Sequence, residues 1–146
     1  GEDLGMALGA TRHRFERRLK QAGLTLGWHL GDIPAIEGLG PHTVLQVIRI
    51  IQEAINNAIK HAGATQISIH VFAATCPPQG AAITRIEVKD DGCGLTAEQQ
   101  VGGYGLKNIK QRAATIGANV DIISNDGGTV VRLDLPASLP FYQPLS

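Results

Sequence analysis

Three polar side chains recur at four-residue intervals in the middle of this chain of 146 residues. Glu53, Asn57 and His61 would form one stripe on a helix, with Lys60 beside its end. Oxygen ligands suit Mg²⁺ and a cation suits phosphate, so this ridge could serve a metal-bound polyphosphate. A solvated helix face would show the same pattern, and the stripe alone leaves both interpretations open.

An amphipathic helix over residues 42–61 is predicted to carry this stripe. Apolar residues recur at three- and four-residue steps from Val44 to Ala62, which is typical of a helix with one face on a core. Gly63 follows as the expected C-cap. The pattern therefore predicts which face of the helix is buried, and the polar stripe lies outside that face.

A glycine-rich segment with two carboxylates follows the next predicted strands. Asp90 comes directly off a strand and begins the sequence Asp-Asp-Gly-Cys-Gly at 90–94. Its glycines allow positive φ and let backbone approach a ligand closely. A carboxylate at a strand end can accept a hydrogen bond from an exocyclic amine, such as N6 of adenine. A plain Asp-Gly turn is the alternative.

A second glycine-rich segment, Gly-Tyr-Gly-Leu at 103–106, precedes another predicted helix. Free N–H groups at a helix N-terminus favour an anion, and glycine leaves room for it, although such helix starts also occur without ligands. The segment matches neither the Walker pattern nor the dinucleotide-binding GxGxxG pattern. Thr129, after Gly128, adds a hydroxyl on the last predicted strand, where a simple β-former is the plainer interpretation.

The first predicted helix, residues 4–22, has a strongly basic outer side. A solvated face is the simpler interpretation of this side, and a contact surface for another domain is the sharper one. Its basic residues are Arg12, His13, Arg14, Arg17, Arg18 and Lys20.

Composition places the chain among globular domains. Hydrophobic residues make up 43% of it, enough for a core in one domain, 1–136, followed by a Pro-rich tail, 137–146. Lys plus Arg and Asp plus Glu number 13 each, so the chain lacks the basic excess of a general nucleic-acid or membrane-surface binder. Cys76 and Cys93 form neither a CxxC pair nor a zinc pattern, which favours reduced thiols in a cytosolic setting.

The chain has neither a run of roughly 18 to 20 apolar residues nor a signal peptide. Its first residue is Gly rather than Met, which favours a fragment of a longer protein. We therefore expect a cytoplasmic domain without direct membrane contact, and an inner-membrane anchor elsewhere in the longer protein is left open.

The order of predicted elements indicates an α+β fold, with helices on one face of a mixed sheet, because hairpin strands cannot all be parallel. The connection 91–104 is long and glycine-rich, which points to function or mobility. The tail from Pro136 is expected to leave the fold. The predicted elements are helices at 4–22, 42–61 and 105–117 and strands at 24–30, 67–73, 85–89, 120–122 and 131–135.

The order of these motifs resembles the ATP-binding catalytic domain of bacterial sensor histidine kinases, within the superfamily that includes gyrase B, Hsp90 and MutL. Residues 52–62 (QEAINNAIKHA) are similar to the N box, 90–94 (DDGCG) to the G1 box and 103–106 (GYGL) to the G2 box. No separate F box is evident, which resembles the short lid of nitrate-sensor and membrane-fluidity-sensor kinases. The resemblance covers residues 4–136 and implies the Bergerat fold, a two-layer α/β sandwich with a mixed, mostly antiparallel sheet.

The resemblance implies a role for each matching residue. Asp90 would bind the adenine amino group, with Thr129 supporting it directly or through water. Asn57 would be the protein ligand to Mg²⁺, and Glu53 would act as general base or orient the acceptor imidazole. Lys60 and His61 would lie near the phosphates or ribose. The pocket, the lid and the phosphate-facing amides would involve Gly92, Gly94, Gly103, Gly105 and Leu106.

The resemblance also implies partners, with ATP and Mg²⁺ as ligands. Kinases of this type carry an acceptor histidine, normally followed by an acidic residue, on a separate dimerisation domain. None of the five histidines here precedes an acidic residue, so the acceptor domain is expected to lie outside this chain. The longer protein would be a homodimer that acts on a response regulator.

Three other functions remain open from the sequence. A serine kinase of the anti-sigma type would use the same pocket, a gyrase-like ATPase would activate water through Glu53, and an interaction module would bind no nucleotide. The sequence further predicts a mobile lid over residues 95–104.

Overall fold

Five strands and four helices form the part of the chain that the computed structural model describes, residues 3–61, 63–102 and 105–140, without the side chains of residues 61, 101 and 102. No helix in these ranges combines the length and apolar content needed to cross a membrane. The elements are α1 (Leu4–Gln21), β1 (Thr25–Leu30), α2 (Pro41–His61), β2 (Gln66–Cys76), β3 (Ala81–Asp90), α3 (Ala97–Gly102), α4 (Leu106–Thr115), β4 (Asn119–Asn125) and β5 (Gly128–Pro136).

The strands form one mixed sheet in the order β1-β2-β3-β5-β4. β1 runs parallel to β2, with α2 in the connection, and all other neighbours pair antiparallel. The predicted mixed, mostly antiparallel sheet is confirmed. Because β3 is the central strand, Asp90 at its end lies between β2 and β5.

The helices bury their apolar stripes on one face of the sheet. Val47, Ile51 and Ile55 of α2 are at most 1% exposed, and they join the core that the inward side chains of the strands form, such as Ile69 and Leu133. Full burial of each such side chain contributes about 1.5–3 kcal/mol. This burial fixes the rotation of α2 and confirms the α+β arrangement.

The other face of the sheet is polar, as the alternation of the strands predicts. Arg85 Nε donates to Asp134 Oδ1 at 2.8 Å, and Arg132 Nε donates to Glu87 Oε2 at 2.9 Å. These pairs connect β3 to β5 across the outer surface.

Two segments predicted as loops have regular structure. Within 91–104, α3 begins with a reciprocal cap, in which Thr96 N–H donates to Gln99 Oε1 at 2.8 Å and Gln99 N–H to Thr96 Oγ1 at 3.2 Å. A Thr-x-x-Gln sequence is a known helix-start signal that could have revealed this helix. β2 and β3 are also longer than the predicted strands 67–73 and 85–89, which shortens the connection between them.

The start of the Pro-rich tail belongs to the fold, which corrects the expectation that the chain leaves it at Pro136. Glu37 N–H donates to Ala137 O at 2.9 Å, and Leu139 N–H donates to Glu37 O at 2.7 Å. Leu139 is only 5% exposed. One apolar side chain and two backbone hydrogen bonds thus hold the tail against the loop before α2, a contact between distant residues that local composition does not reveal.

Candidate nucleotide-binding site

α2 carries the predicted polar stripe along the edge of its buried face. Glu53 and Asn57 are half-buried, and Lys60 is exposed near the end of the helix. Asn57 Nδ2 is buried and has no hydrogen-bond partner among the described residues. A buried polar group without a partner costs about 1–3 kcal/mol. The Asn57 amide is therefore suited to a ligand.

The start of α4 lies directly against this stripe. Gly105 has a φ of +81°, and a Cβ added there would lie 2.5 Å from Glu53 Oε2 and 3.7 Å from Asn57 Oδ1. Glycine tolerates this backbone conformation and leaves room for the carboxylate. Gly105, the N-cap residue of α4, has no side chain that could cap the first turn, so the N–H groups of this turn can receive an anion. The contact brings these amides beside Glu53 and Asn57.

Asp90 is fixed at the end of β3 by two backbone amides. Its Oδ1 accepts hydrogen bonds from Gly92 N–H at 2.9 Å and Thr129 N–H at 3.2 Å. Burial raises the pKa of Asp90 above its ordinary value, with a smaller rise from the charge of Asp91, while the two amides act in the opposite direction. The carboxylate is thus oriented and partly desolvated, which strengthens a hydrogen bond to a ligand amine.

Asp91 has a different position and a structural role. Its carboxylate accepts from the Thr65 hydroxyl at 2.5 Å, from Thr65 N–H at 2.8 Å and from Gln66 N–H at 3.0 Å. These bonds, the hydroxyl first, lower the pKa of Asp91 to about 2. Asp91 therefore ties the end of β3 to the start of β2, a role that the sequence did not reveal.

Glycines let the β4–β5 turn approach the segment after β3. Gly94 has a φ of +81°, and a Cβ there would overlap the Asn125 carbonyl. Gly128 has a φ of +135°, and a Cβ there would overlap the Asp90 carbonyl. The predicted role of Gly94 in shaping the pocket is compatible with this close approach, and Gly128, which the sequence motifs mark only as the residue before Thr129, makes a second close approach.

A chain of hydroxyl groups links Asp90 to the segment that leads into α3. Thr129 donates its N–H to Asp90, and its Oγ1 lies 2.9 Å from Ser124 Oγ. Ser124 Oγ accepts the Leu95 N–H at 2.6 Å. Ser124 thus connects Asp90, through Thr129, to the start of the predicted lid. Sequence reasoning missed Ser124, because nothing in its local pattern distinguishes it from an ordinary serine in a strand.

A small cavity of about 10 Å³ lies where these elements meet. A volume of this size holds about one water molecule, so a purine would have to separate the side chains around it. The apolar walls and few polar groups suit a flat aromatic ring. The residues that matter for this fit are Asn57, Ala58, Asp90, Leu95, Leu106 and Thr129.

The structure therefore brings most of the predicted site residues together. Asn57, Asp90, Leu106 and Thr129 share the cavity, and Glu53 lies beside it against α4. Lys60 is exposed and does not line this cavity. The side chain of His61 and the whole of Gly103 fall outside the described residues, so their roles stay predictions.

Comparison with known proteins agrees with this geometry. Residues 42–139 match the family described as histidine kinase-, DNA gyrase B-, and HSP90-like ATPase. The match includes α2, the Asp90 segment, α4 and the packed start of the tail, so it covers every described residue of the site.

Two sensor proteins are similar to the chain in sequence. It is 29% identical over 137 residues to sensor histidine kinase LiaS of Bacillus subtilis, spanning 92% of the chain and 35% of LiaS. It is 33% identical over 107 residues to sensor protein VraS of Staphylococcus haemolyticus, spanning 72% of the chain and 28% of VraS. The chain thus spans about a third of the length of these relatives.

A solved structure shares the fold. The histidine kinase domain of the blue-light activated histidine kinase from Erythrobacter litoralis superposes with a TM-score of 0.68 at 19% identity, covering 92% of this chain and 61% of that one. This likeness confirms the α+β architecture with its open mixed sheet. The chain belongs to the family of histidine kinase-, DNA gyrase B- and HSP90-like ATPases.

Proposed function

We propose that this domain, with Mg²⁺, transfers the γ-phosphoryl group of ATP to a histidine on a dimerisation and acceptor domain outside this chain. The observation that carries the proposal is the apposition of Glu53 and Asn57 with the uncapped start of α4. It supports the proposal because the Glu53 carboxylate would act as a base, Asn57 Oδ1 would ligate Mg²⁺ and the N–H groups of α4 would bind an anion, all side by side. Phosphoryl transfer depends mainly on such positioning and on charge stabilisation.

Asp90 would recognise adenine by accepting a hydrogen bond from its exocyclic amine. The amides of Gly92 and Thr129 hold the carboxylate in one orientation, so little reorganisation is needed when the base enters. Leu95 and Leu106 would move apart to admit the ring. This direct contact would favour adenine over guanine, which carries a carbonyl where adenine has its amine.

Asn57 Oδ1 would hold Mg²⁺ together with phosphate oxygens and water. Mg²⁺ is commonly bound through only one or two protein ligands plus substrate phosphates. The ion would neutralise charge on the phosphates, and the amides after Gly105 would bind a phosphate oxygen. Lys60 and His61, at the end of α2, would lie near the phosphates or ribose.

Glu53 would act on the acceptor. Its carboxylate would accept a hydrogen bond from the imidazole, either taking its proton or orienting the ring for attack on the γ-phosphate. The longer protein would be a homodimeric kinase of the nitrate-sensor and fluidity-sensor type, would act on a response regulator and would hold this domain in the cytoplasm.

The test is to incubate the longer protein with γ-labelled ATP and Mg²⁺ and to identify the labelled residue. We expect phosphohistidine, which is lost in acid and stable in alkali. Glu53→Gln should lower the labelling rate about hundredfold and keep its affinity for a non-hydrolysable ATP analogue. Labelling at the wild-type rate in this variant would contradict the role of Glu53.

The same experiment separates the other functions of this fold. Acid-stable phosphoserine on a partner would indicate a serine kinase, and phosphate release by the isolated chain would indicate a gyrase-like ATPase. Absence of nucleotide binding would leave an interaction module.

A further inference from the structure

A second, larger cleft lies between α1 and α2, and it shares no lining residue with the cavity at Asp90. Its volume is about 240 Å³. The phosphoryl-transfer chemistry proposed above uses none of its residues. Both helices contribute to its lining, which consists of Arg14, Phe15, Arg18, Gln52, Ile55 and Asn56.

The cleft has an apolar floor and a cationic rim. Phe15 and Ile55 are 3% and 1% exposed, whereas Arg14 and Arg18 are exposed. Arg18 Nη2 makes one long hydrogen bond, 3.4 Å, to Asn56 Oδ1. Arg14 has no ion pair with any described residue. Both guanidinium groups therefore keep donors for a partner.

The positive charge of α1 is concentrated and not neutralised within the helix. The chain as a whole is balanced, with 13 basic and 13 acidic residues, but α1 contains five Lys and Arg residues and one acid, Glu16. Glu16 forms an ion pair with Arg12, with 2.6 Å between Glu16 Oε1 and Arg12 Nε, and the Arg12 guanidinium also lies over the Trp28 ring. Such a local excess of one sign attracts a partner of the opposite sign.

The cleft and the cavity at Asp90 are both lined by residues of α2. Gln52 and Asn56 each precede a predicted active-site residue, Glu53 and Asn57, so they lie about 100° around α2 from them. A segment that presents an imidazole to Glu53 would extend over this side of the helix. The cleft is thus placed to orient that segment.

We propose that the cleft between α1 and α2 docks an acidic segment of the domain that carries the acceptor histidine. Arg14 and Arg18 would pair with its carboxylates, for which the planar guanidinium offers two parallel hydrogen bonds. The inference rests on the proposed histidine kinase function and adds to it the surface that aligns the acceptor. It also gives the basic side of the first helix a role beyond solvation.

The test compares two double variants of the longer protein, in which the chain is joined to its own acceptor domain. The cleft variant, Arg14→Glu with Arg18→Glu, reverses the charge at the rim of the cleft. The control variant, Arg17→Glu with Lys20→Glu, makes the same charge change on the same helix outside the cleft. At saturating ATP we expect autophosphorylation to fall about tenfold or more in the cleft variant and less than about twofold in the control. Affinity for an ATP analogue should stay unchanged in both.

Other outcomes would overturn the proposal. Equal rates in the cleft variant and wild type would exclude the cleft as a docking surface, and equal losses in both variants would assign the effect to the general field of α1. A loss confined to transfer onto the response regulator would name that protein as the occupant. If the glutamate pair lowers the melting temperature, Arg14→Gln with Arg18→Gln gives the same test with a smaller expected loss. Absence of nucleotide binding in the wild type would instead refute the proposed function.

Discussion

The two carboxylates at the end of β3 follow one another in sequence and have opposite environments. Asp90 faces the cavity, where burial raises its pKa. Asp91 faces the loop between α2 and β2, where the Thr65 hydroxyl and two backbone amides lower its pKa to about 2. Successive side chains of an extended strand point to opposite sides. The two neighbouring carboxylates therefore lie in different surroundings.

The difference separates binding from stability. Asp91 has charge-assisted hydrogen bonds in the free protein, and these favour the folded state. Asp90 is held by two amides but partly desolvated, so the folded state does not gain from its charge in the same way. A hydrogen bond from a ligand amine can offset the partial desolvation of the Asp90 carboxylate. We therefore expect substitutions at these neighbouring positions to affect different measurements.

Of the effects that distinguish these two carboxylates, the largest is expected to be the loss of nucleotide affinity in Asp90→Asn. The substitution replaces an acceptor-only carboxylate by an amide, and should weaken binding of a non-hydrolysable ATP analogue with Mg²⁺ tenfold or more, about 1.4 kcal/mol. Calorimetric titration checks this, with Asp126→Asn in the exposed β4–β5 turn as control. Unchanged affinity in Asp90→Asn would remove Asp90 from the adenine site.

A smaller loss of affinity is expected for Ser124→Ala, which breaks the link between Thr129 and Leu95. One hydrogen bond contributes about 1 kcal/mol, so we expect about a fivefold weaker affinity and faster amide exchange at Leu95. Ser68→Ala on the outer face of the sheet is the control. In the wild type without nucleotide, strong protection of the amides of residues 95–102 against hydrogen exchange would contradict the predicted mobile lid.

Asp91→Asn should show the reverse behaviour of Asp90→Asn. It removes the charge that three donors share, so the melting temperature should fall while affinity for the ATP analogue stays within about twofold of wild type. Thermal unfolding and titration of the same sample check both parts. A matching loss of affinity would mean that Asp91 also belongs to the nucleotide site.

The most subtle expected difference between the two carboxylates is in the pH dependence of stability. The pKa of Asp91 is depressed in the folded state, so its stabilisation is present above the ordinary value of 3.8 and is lost as pH falls toward about 2. The stability gap between wild type and Asp91→Asn should close over that range. The pKa of Asp90 is raised, so Asp90→Asn should be at least as stable as wild type at neutral pH, with any advantage disappearing on acidification. Chemical unfolding at several pH values measures both.

Much of the architecture could be predicted because its signals are local. The three- and four-residue spacing of Val47, Ile51 and Ile55 defines a helix and its buried face, and the alternation along β2 and β3 defines strands. Two errors have physical causes. The Thr96–Gln99 cap is a short signal inside a glycine-rich segment, and the tail is held by contacts between Glu37 and Leu139, about a hundred residues apart.

The candidate site could be predicted in part, at the positions where residue type and spacing along the chain indicate a function. The four-residue spacing on one helix face marks Glu53 and Asn57, the strand end before glycines marks Asp90, and the order of these motifs, which resembles a known family, indicates their roles. The roles of Ser124 and Asp91 were not identified, because they depend on partners from other elements. A serine or an aspartate has no local mark that announces such a partner.

The sequence by itself determined the helix that carries the polar stripe, the strand that ends in Asp90 and the glycines that permit close approach, because these depend on periodicity and on backbone freedom. Only the tertiary structure decided that Gly105 meets Glu53, that Ser124 joins Thr129 to Leu95 and that Arg14 and Arg18 overlook a cleft beside α2. Those contacts depend on strand register and on how helices pack over the sheet, and both are set by the burial of the whole core.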